Sequence, residues 1–460
     1  MAVAGQLDFL DKTRTHVLMI TNHGMHQWQV IPGLPDTGGQ NVYVNQFTEA
    51  LVEQGYRVTI VNRGGYAHPV TGVLQQGVHF HPSGHARIVY IEDSKKEFVR
   101  KEDMDAQLPE LAHDLRRRFT DENDSFDLII SHYWDAGRLG TLVNTGPQRL
   151  PHVWVPHSLG TLKKRNMDPA TWAGLRIDER INRERELLKL IDSGVATSSA
   201  IRDAFVNDYG VAPKYFLPPC IDVSRIHVMP DSALEPTWHF LAQSSGRAVA
   251  DLKRCQIITE ISRTDKTKRK DVLIKAFAQV KRAVPEALLV VSIDDRTPAL
   301  YEALHGLIAE LGLQQDVIVL GSVWEQLPGL YNVTSVYCTP SVMEGFGMSA
   351  QEGAATAKPV VASDLVPFVM EYLLGENPEQ VAVEDQHVLF GAGAVVVPAD
   401  FVEGFAAALI RLLQNDAERE RMGGRALEIT IPYFTWHNRT QDLLDDLGVC
   451  PSRCEPGGAS

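Results

Sequence analysis

The sequence predicts an α/β protein with two doubly wound parallel-sheet domains. Three observations predict it. Short apolar runs alternate with helical stretches along both halves of the chain, the rhythm of strand–helix–strand units. Two prolines in Leu217–Asp222 (LPPCID) interrupt that rhythm near the middle of 460 residues, a length that suits two to four domains. The residues with chemical character fall just after apolar runs, where open parallel sheets hold ligands at the carboxyl ends of their strands.

In the first half, His16–Thr21 (HVLMIT) is the run of a strand buried on both faces. A Gly-rich loop, Pro32–Gln40, leads into Val42–Gln54, which has helical apolar spacing and stops at Gly55. Arg57–Asn62 is the next strand, followed by strands at Arg87–Ile91, Asp127–Ser131, His152–Pro156 and Ser193–Thr197. Asp105–Phe119 and the charged Asp178–Ile191 are helices among them. After the proline break a polar, mixed segment runs to about Arg254. The alternation then resumes. Strands are expected at Gln256–Ser262, Ala287–Ile293, Val317–Leu320, Val336–Thr339, Pro359–Ala362 and Ala394–Val397. Helices are expected at Asp271–Arg282, Tyr301–Leu311 and Val402–Asn415. This gives domains at residues 1–220 and 221–434, a helix at 435–447 placed to cross back onto the first domain, and a flexible tail at 451–460.

Composition narrows the function. An apolar fraction of 44% with 22% charged residues excludes a wholly disordered chain. The 44 basic against 58 acidic residues leave −14, which argues against a nucleic-acid or polybasic membrane binder. Small anionic substrates stay open, because a local basic pocket can oppose the global sign. Five cysteines are too sparse for a disulfide framework. No secretory leader and no apolar run of about 20 residues is visible, so a cytoplasmic protein without a membrane span is expected. No Asp/Glu/His cluster suggests a metal site, and no cofactor is expected. The oligomeric state is left unassigned.

Four motifs carry chemistry. Asp36-Thr37-Gly38-Gly39-Gln40 joins the first strand to its helix, and its glycines allow backbone to approach a ligand. Pro156-His157-Ser158-Leu159-Gly160-Thr161-Leu162-Lys163-Lys164 follows a strand end, as does His132-Tyr133-Trp134-Asp135. Arg263 and Lys268 sit five apart on a turn, and two such cations suit a diphosphate. Glu344 and Glu352 flank Gly345-Phe346-Gly347-Met348, and both carboxylates could accept hydrogen bonds from the vicinal hydroxyls of one ligand. Each alone is also the pattern of an ordinary turn, packed histidine or solvated basic face. Their order along the chain is what points to a site.

Together these residues resemble the retaining glycosyltransferases of family 4, whose GT-B fold pairs two Rossmann-like domains across a central cleft. DTGGQNVYV, SHYWDAG and PHSLGTLKK are similar to the branch holding the sucrose-phosphate, mannosylfructose-phosphate and sucrose synthases. The resemblance implies that the second domain binds a nucleotide sugar and the first an acceptor. It assigns Arg263 and Lys268 to the donor diphosphate, Glu352 to the ribose, Glu344 to the donor hexose and the Gly345–Met348 backbone to sugar and phosphate. His157 would contact the donor sugar near the reacting centre, and Gly38, Gly39 and Gln40 would close over diphosphate and acceptor. Lys163, with Lys101 and Arg180, would hold an acceptor phosphate. The segment Val366–Glu384 departs from the family's Gly-Gly-rich stretch. The implied reaction moves a hexose from UDP-glucose, or GDP-mannose, to a sugar phosphate such as fructose 6-phosphate. The competing readings are transfer to an unphosphorylated sugar, a nucleotide-sugar isomerase and a non-catalytic binding module.

Overall fold

The computed structural model describes residues 9, 12–30, 39–147, 149–165, 169–295, 297–321 and 323–452. It divides into two units, residues 1–218 with 436–460, and residues 219–435.

The first unit is built on an eight-stranded sheet in the order Tyr215–Phe216, Ser193–Ala196, His152–Val155, Leu128–His132, His16–Ile20, Arg57–Arg63, Ala86–Ile91 and Val78–Phe80. All neighbours are parallel except the last pair, which is antiparallel. The inner strands are buried along their whole length, as continuous apolar runs covered on both faces must be. Helices Gly39–Glu53, Leu108–Asp121, Trp134–Val143 and Ile177–Leu187 link them. The last helix, Trp436–Leu447, belongs to this unit. Its Trp436 ring meets Tyr43 edge-on at 4.7 Å and stacks on Phe47 at 5.8 Å. Residues 451 and 452 are not a loose tail. Thr15 N donates to Pro451 O at 2.8 Å, and Arg14 and Ser452 form an antiparallel bridge. The turn at Lys101–Gln107, read from sequence as partly α-helix, is 3₁₀ and leads into the α-helix that starts at Leu108.

The second unit carries another eight-stranded sheet, in the order Val317–Leu320, Ala287–Ser292, Gln256–Glu260, Val336–Thr339, Val360–Ser363, Ala394–Val397, Gln386–Phe390 and Glu379–Val383. The first six are parallel and the last two antiparallel. The polar stretch after the proline break is helical over Glu235–Ser245. The unusual segment before residue 384 supplies a helical turn, Val369–Leu373, and the outermost strand. Two apolar layers flank this sheet, one around Leu288, Tyr337 and Phe368, the other around Phe277, Leu289 and Phe405.

Candidate active site

In the first unit, three adjacent strands end side by side, because Ile20 pairs with Ser131 and His132 pairs with Val155. The residues just beyond them are Asn22 and His23, Tyr133, and His157. Tyr133 has φ +79° and His157 φ +54°. Bulky residues in the left-handed region are costly and persist only where packing over-determines them. His157 Nε2 shares a 3.0 Å hydrogen bond with His132 Nδ1, and its ring meets the edge of Tyr43 at 4.9 Å. Burial, and then the nearby His23, push His157 down to about 3. Burial also holds His132 well below the usual imidazole range. Both rings are therefore neutral near pH 7, so His157 can hydrogen-bond a sugar hydroxyl without adding charge.

A cavity of about 230 Å³ opens beside Tyr133. Lys101 comes to it from the 3₁₀ turn, Lys163 from the short helix Gly160–Arg165, and Arg180 from helix Ile177–Leu187. Arg180 is buried, and its guanidinium donates to Tyr133 Oη at 2.5 Å and to Glu184 Oε1 at 2.7 Å. Burial works against the guanidinium charge, but Tyr133 and Glu184 more than offset it, so Arg180 stays charged. Glu184 is itself fixed by Gly160 N at 3.0 Å and by the Tyr209 hydroxyl. Lys163 Nζ reaches Tyr133 Oη at 3.4 Å, and among the described residues no carboxylate pairs with it. Tyr133, Arg176 and Arg183 also line this cavity and were not among the residues expected from the sequence. A signal existed for the arginines. Positions 176, 180 and 183 follow the four-then-three spacing of one helix face.

Of the Gly-rich loop, Gly39 and Gln40 open helix Gly39–Glu53, and Gly38 lies outside the described residues.

In the second unit the turn after Gln256–Glu260 is tied to the loop after Val336–Thr339. Asp265 caps the turn by accepting from Thr267 N at 2.8 Å, and Val342 N donates to Thr267 O at 2.8 Å. That link sets Lys268 against Glu344, with Nζ 2.5 Å from Oε1. Their side chains are 10% and 14% exposed. Arg263 differs. Its side chain is 79% exposed, with Asp265 at 3.7 Å. Beneath the turn lies a fully buried pair that sequence reasoning missed, Glu260 and Lys270. Lys270 Nζ bonds to Glu260 and to Ser262 O at 3.1 Å.

Phe346 packs its ring against Phe368 and Phe434, at 5.4 Å and 5.9 Å, which commits its side chain to the core. Gly345 has open space where a Cβ would stand. Gly347 has φ +110° and precedes the helix Met348–Ala355, whose first residue is half-buried Met348. On that helix Glu352 accepts from Tyr331 Oη at 2.7 Å. Burial raises the Glu352 carboxyl above its ordinary value, and the Tyr331 bond only partly offsets this. Among the described residues no group of three or more His, Cys, Asp or Glu is arranged to hold a metal ion.

Comparison with known proteins defines the class. Residues 37–225 match the family described as Glycosyltransferase Family 4, and residues 249–428 match the one described as Glycosyl transferases group 1. These matches take in most of the chain, which belongs to the glycosyltransferases of GT-B fold. Within that class it is similar to the mannosylfructose-phosphate synthase of Agrobacterium fabrum, 29% identical over 75% of this chain and 76% of the relative. A D-inositol 3-phosphate glycosyltransferase of Corynebacterium jeikeium is 29% identical over 75% of this chain and 80% of its own. Among solved structures, the sucrose-phosphate synthase of Thermosynechococcus elongatus superposes with a TM-score of 0.71 at 20% identity, covering 94% of this chain and 98% of the other. Anabaena Alr3699/HepE in complex with UDP-glucose superposes with a TM-score of 0.64 at 16% identity, covering 94% and 99%. No helix among the described residues is long and apolar enough to cross a membrane.

Proposed function

We propose that this glycosyltransferase moves a hexose from a nucleotide diphosphate sugar to a sugar phosphate, with retention at the anomeric carbon. The observation that carries the reading is the cavity where Lys163 and Arg180 converge on one phenol. Both cations donate to Tyr133 Oη. The phenol proton is then left to donate outward, beside Lys163, which no described carboxylate neutralises. Two cations and a hydroxyl donor suit a phosphate monoester, with Lys101 across the cavity. Both curated relatives carry a phosphorylated sugar or polyol in their names. UDP-glucose is the favoured donor, as in the complexed neighbour, with GDP-mannose the second choice and fructose 6-phosphate the type acceptor.

In this reading Arg263 and Lys268 take the donor diphosphate. Lys268 leaves Glu344 for the phosphates when donor binds, which frees Glu344 to accept from hexose hydroxyls. Glu352 takes the ribose diol, and Gly345–Met348 present backbone. As the bond from anomeric carbon to phosphate oxygen breaks, its electron pair goes to the diphosphate, where the two cations stabilise the growing charge. The acceptor oxygen bonds to the same face of that carbon, and its proton passes to a phosphate oxygen. Glu344, committed to Lys268 or to hydroxyls, is no covalent nucleophile. Neutral His157 holds a hydroxyl of the donor sugar. Neither a cofactor nor a divalent metal is needed, and the cytoplasm supplies both substrates.

The test is Lys163→Ala assayed with fructose 6-phosphate and with fructose. The reading expects at least about a tenfold rise in KM for the phosphorylated sugar alone, the worth of one charge-assisted contact. Equal KM changes would favour an unphosphorylated acceptor. Donor conversion without acceptor would mark an isomerase, and binding without turnover a binding module.

A further inference from the structure

His23 and Asp135 form a side-chain pair that the roles above do not use. Asp135 is 0% exposed, in the first turn of helix Trp134–Val143, where a carboxylate is favoured by the helix dipole. Its two oxygens lie 3.1 and 3.3 Å from His23 Nδ1. A carboxylate can only accept, so Nδ1 must carry the proton, and in the neutral ring this tautomer leaves the lone pair on Nε2. The His23 ring stands edge-on to Tyr133 at 4.6 Å, on the phenol that Arg180 and Lys163 share. Among the described residues His23 Nε2 has no hydrogen-bond partner, yet it is not one of the polar atoms sealed from solvent. Tyr133 holds its positive φ with the Arg180 and Lys163 cations 4.4 and 5.9 Å from its ring, packing of the kind that over-determines such a conformation.

We propose that His23 Nε2 accepts a hydrogen bond from a hydroxyl of the acceptor sugar, and that Asp135 is the positioning residue that fixes the tautomer. The proposal rests on the acceptor-phosphate reading of the neighbouring cavity and adds the polyol part of the same ligand. A lone pair there repels a second phosphate and selects a hydroxyl, so His23 sets which sugar phosphates are taken.

Two measurements test it. Nitrogen-15 correlation spectra of the wild-type protein should show His23 as the Nδ1–H tautomer. In Asp135→Asn the amide donates to Nδ1 and should flip the ring to Nε2–H. Steady-state kinetics should show KM for fructose 6-phosphate raised about tenfold in His23→Ala and Asp135→Asn, with the UDP-glucose KM unchanged. His23→Gln, whose amide oxygen can stand near Nε2, should recover part of the loss. An Nε2–H or doubly protonated His23 in the wild type overturns the proposal even if Asp135→Asn fails to fold. So does an unchanged acceptor KM in His23→Ala. A wild type that transfers to no sugar phosphate would instead overturn the acceptor reading itself, which separates the two failures.

Discussion

At the scale of single residues, Arg263 and Lys268 look equivalent in the sequence and are not equivalent in the structure. Lys268 is held against Glu344 with both side chains largely buried, whereas Arg263 stands in solvent. The two should therefore fail differently. Arg263→Ala should lose orders of magnitude in kcat while moving the urea midpoint by no more than about 0.5 kcal/mol of stability. Lys268→Ala should lose comparable turnover and also about 1–3 kcal/mol, because it strands a poorly exposed carboxylate. Paired kinetics and urea titrations check this, and equal stability losses in both variants would refute the distinction. The cations themselves were legible, since a basic turn after a strand is a local pattern. The pairing was not, because Glu344 is 76 residues further on and its loop is brought to the turn by tertiary bonds from Val342 N and Ser341 Oγ to Thr267 O.

At the scale of elements, the loop that carries Glu344 depends on Gly347. Its φ is +110°, and a Cβ there would stand 2.6 Å from Val366 Cγ1. Gly347→Ala should cost about 1–3 kcal/mol, read from the urea midpoint, through strain and a clash that Val366 must yield to. It should also weaken donor binding, since the loop places Gly345 and Glu344. Wild-type stability would contradict the conformation. The inner strands were legible within a residue or two, because a strand buried on both faces writes an uninterrupted apolar run. Ala287–Ser292, Val336–Thr339 and Ala394–Val397 are cases. The edge pair Glu379–Val383 and Gln386–Phe390 escaped notice because most of its residues are exposed or half-exposed and each strand opens on two polar side chains. Tyr133 escaped as a site residue because its motif reads locally as a strand end. Only the folded helix at Ile177–Leu187 brings Arg180 to its hydroxyl.

At the scale of the whole molecule, the titrating histidines are unevenly placed. Burial pushes His16 and His26 down to about 4, and His152 and His157 to about 3. With His132, all lie in the first unit. Their folded values are lower than the unfolded 6.5, so the unfolded chain takes up protons first as pH falls. Stability is then complete above about pH 6.5 and drains away towards pH 4–3, by up to roughly 1.4 kcal/mol per pH unit for each ring. Calorimetry at pH 7.5 and 5.0 should show the transition of the first unit moving to lower temperature more than that of the second. Parallel shifts would contradict the assignment of these rings as buried and neutral.

The central claim is transfer to a phosphorylated sugar, and a donor-by-acceptor matrix with product NMR tests it most directly. UDP-glucose and GDP-mannose are each incubated with fructose 6-phosphate, other sugar phosphates and their unphosphorylated counterparts, without added metal. The account predicts a glycosidic product, with the anomeric configuration of the donor, only where the acceptor carries phosphate. Product formed equally well from unphosphorylated sugars, or with inverted configuration, would contradict it.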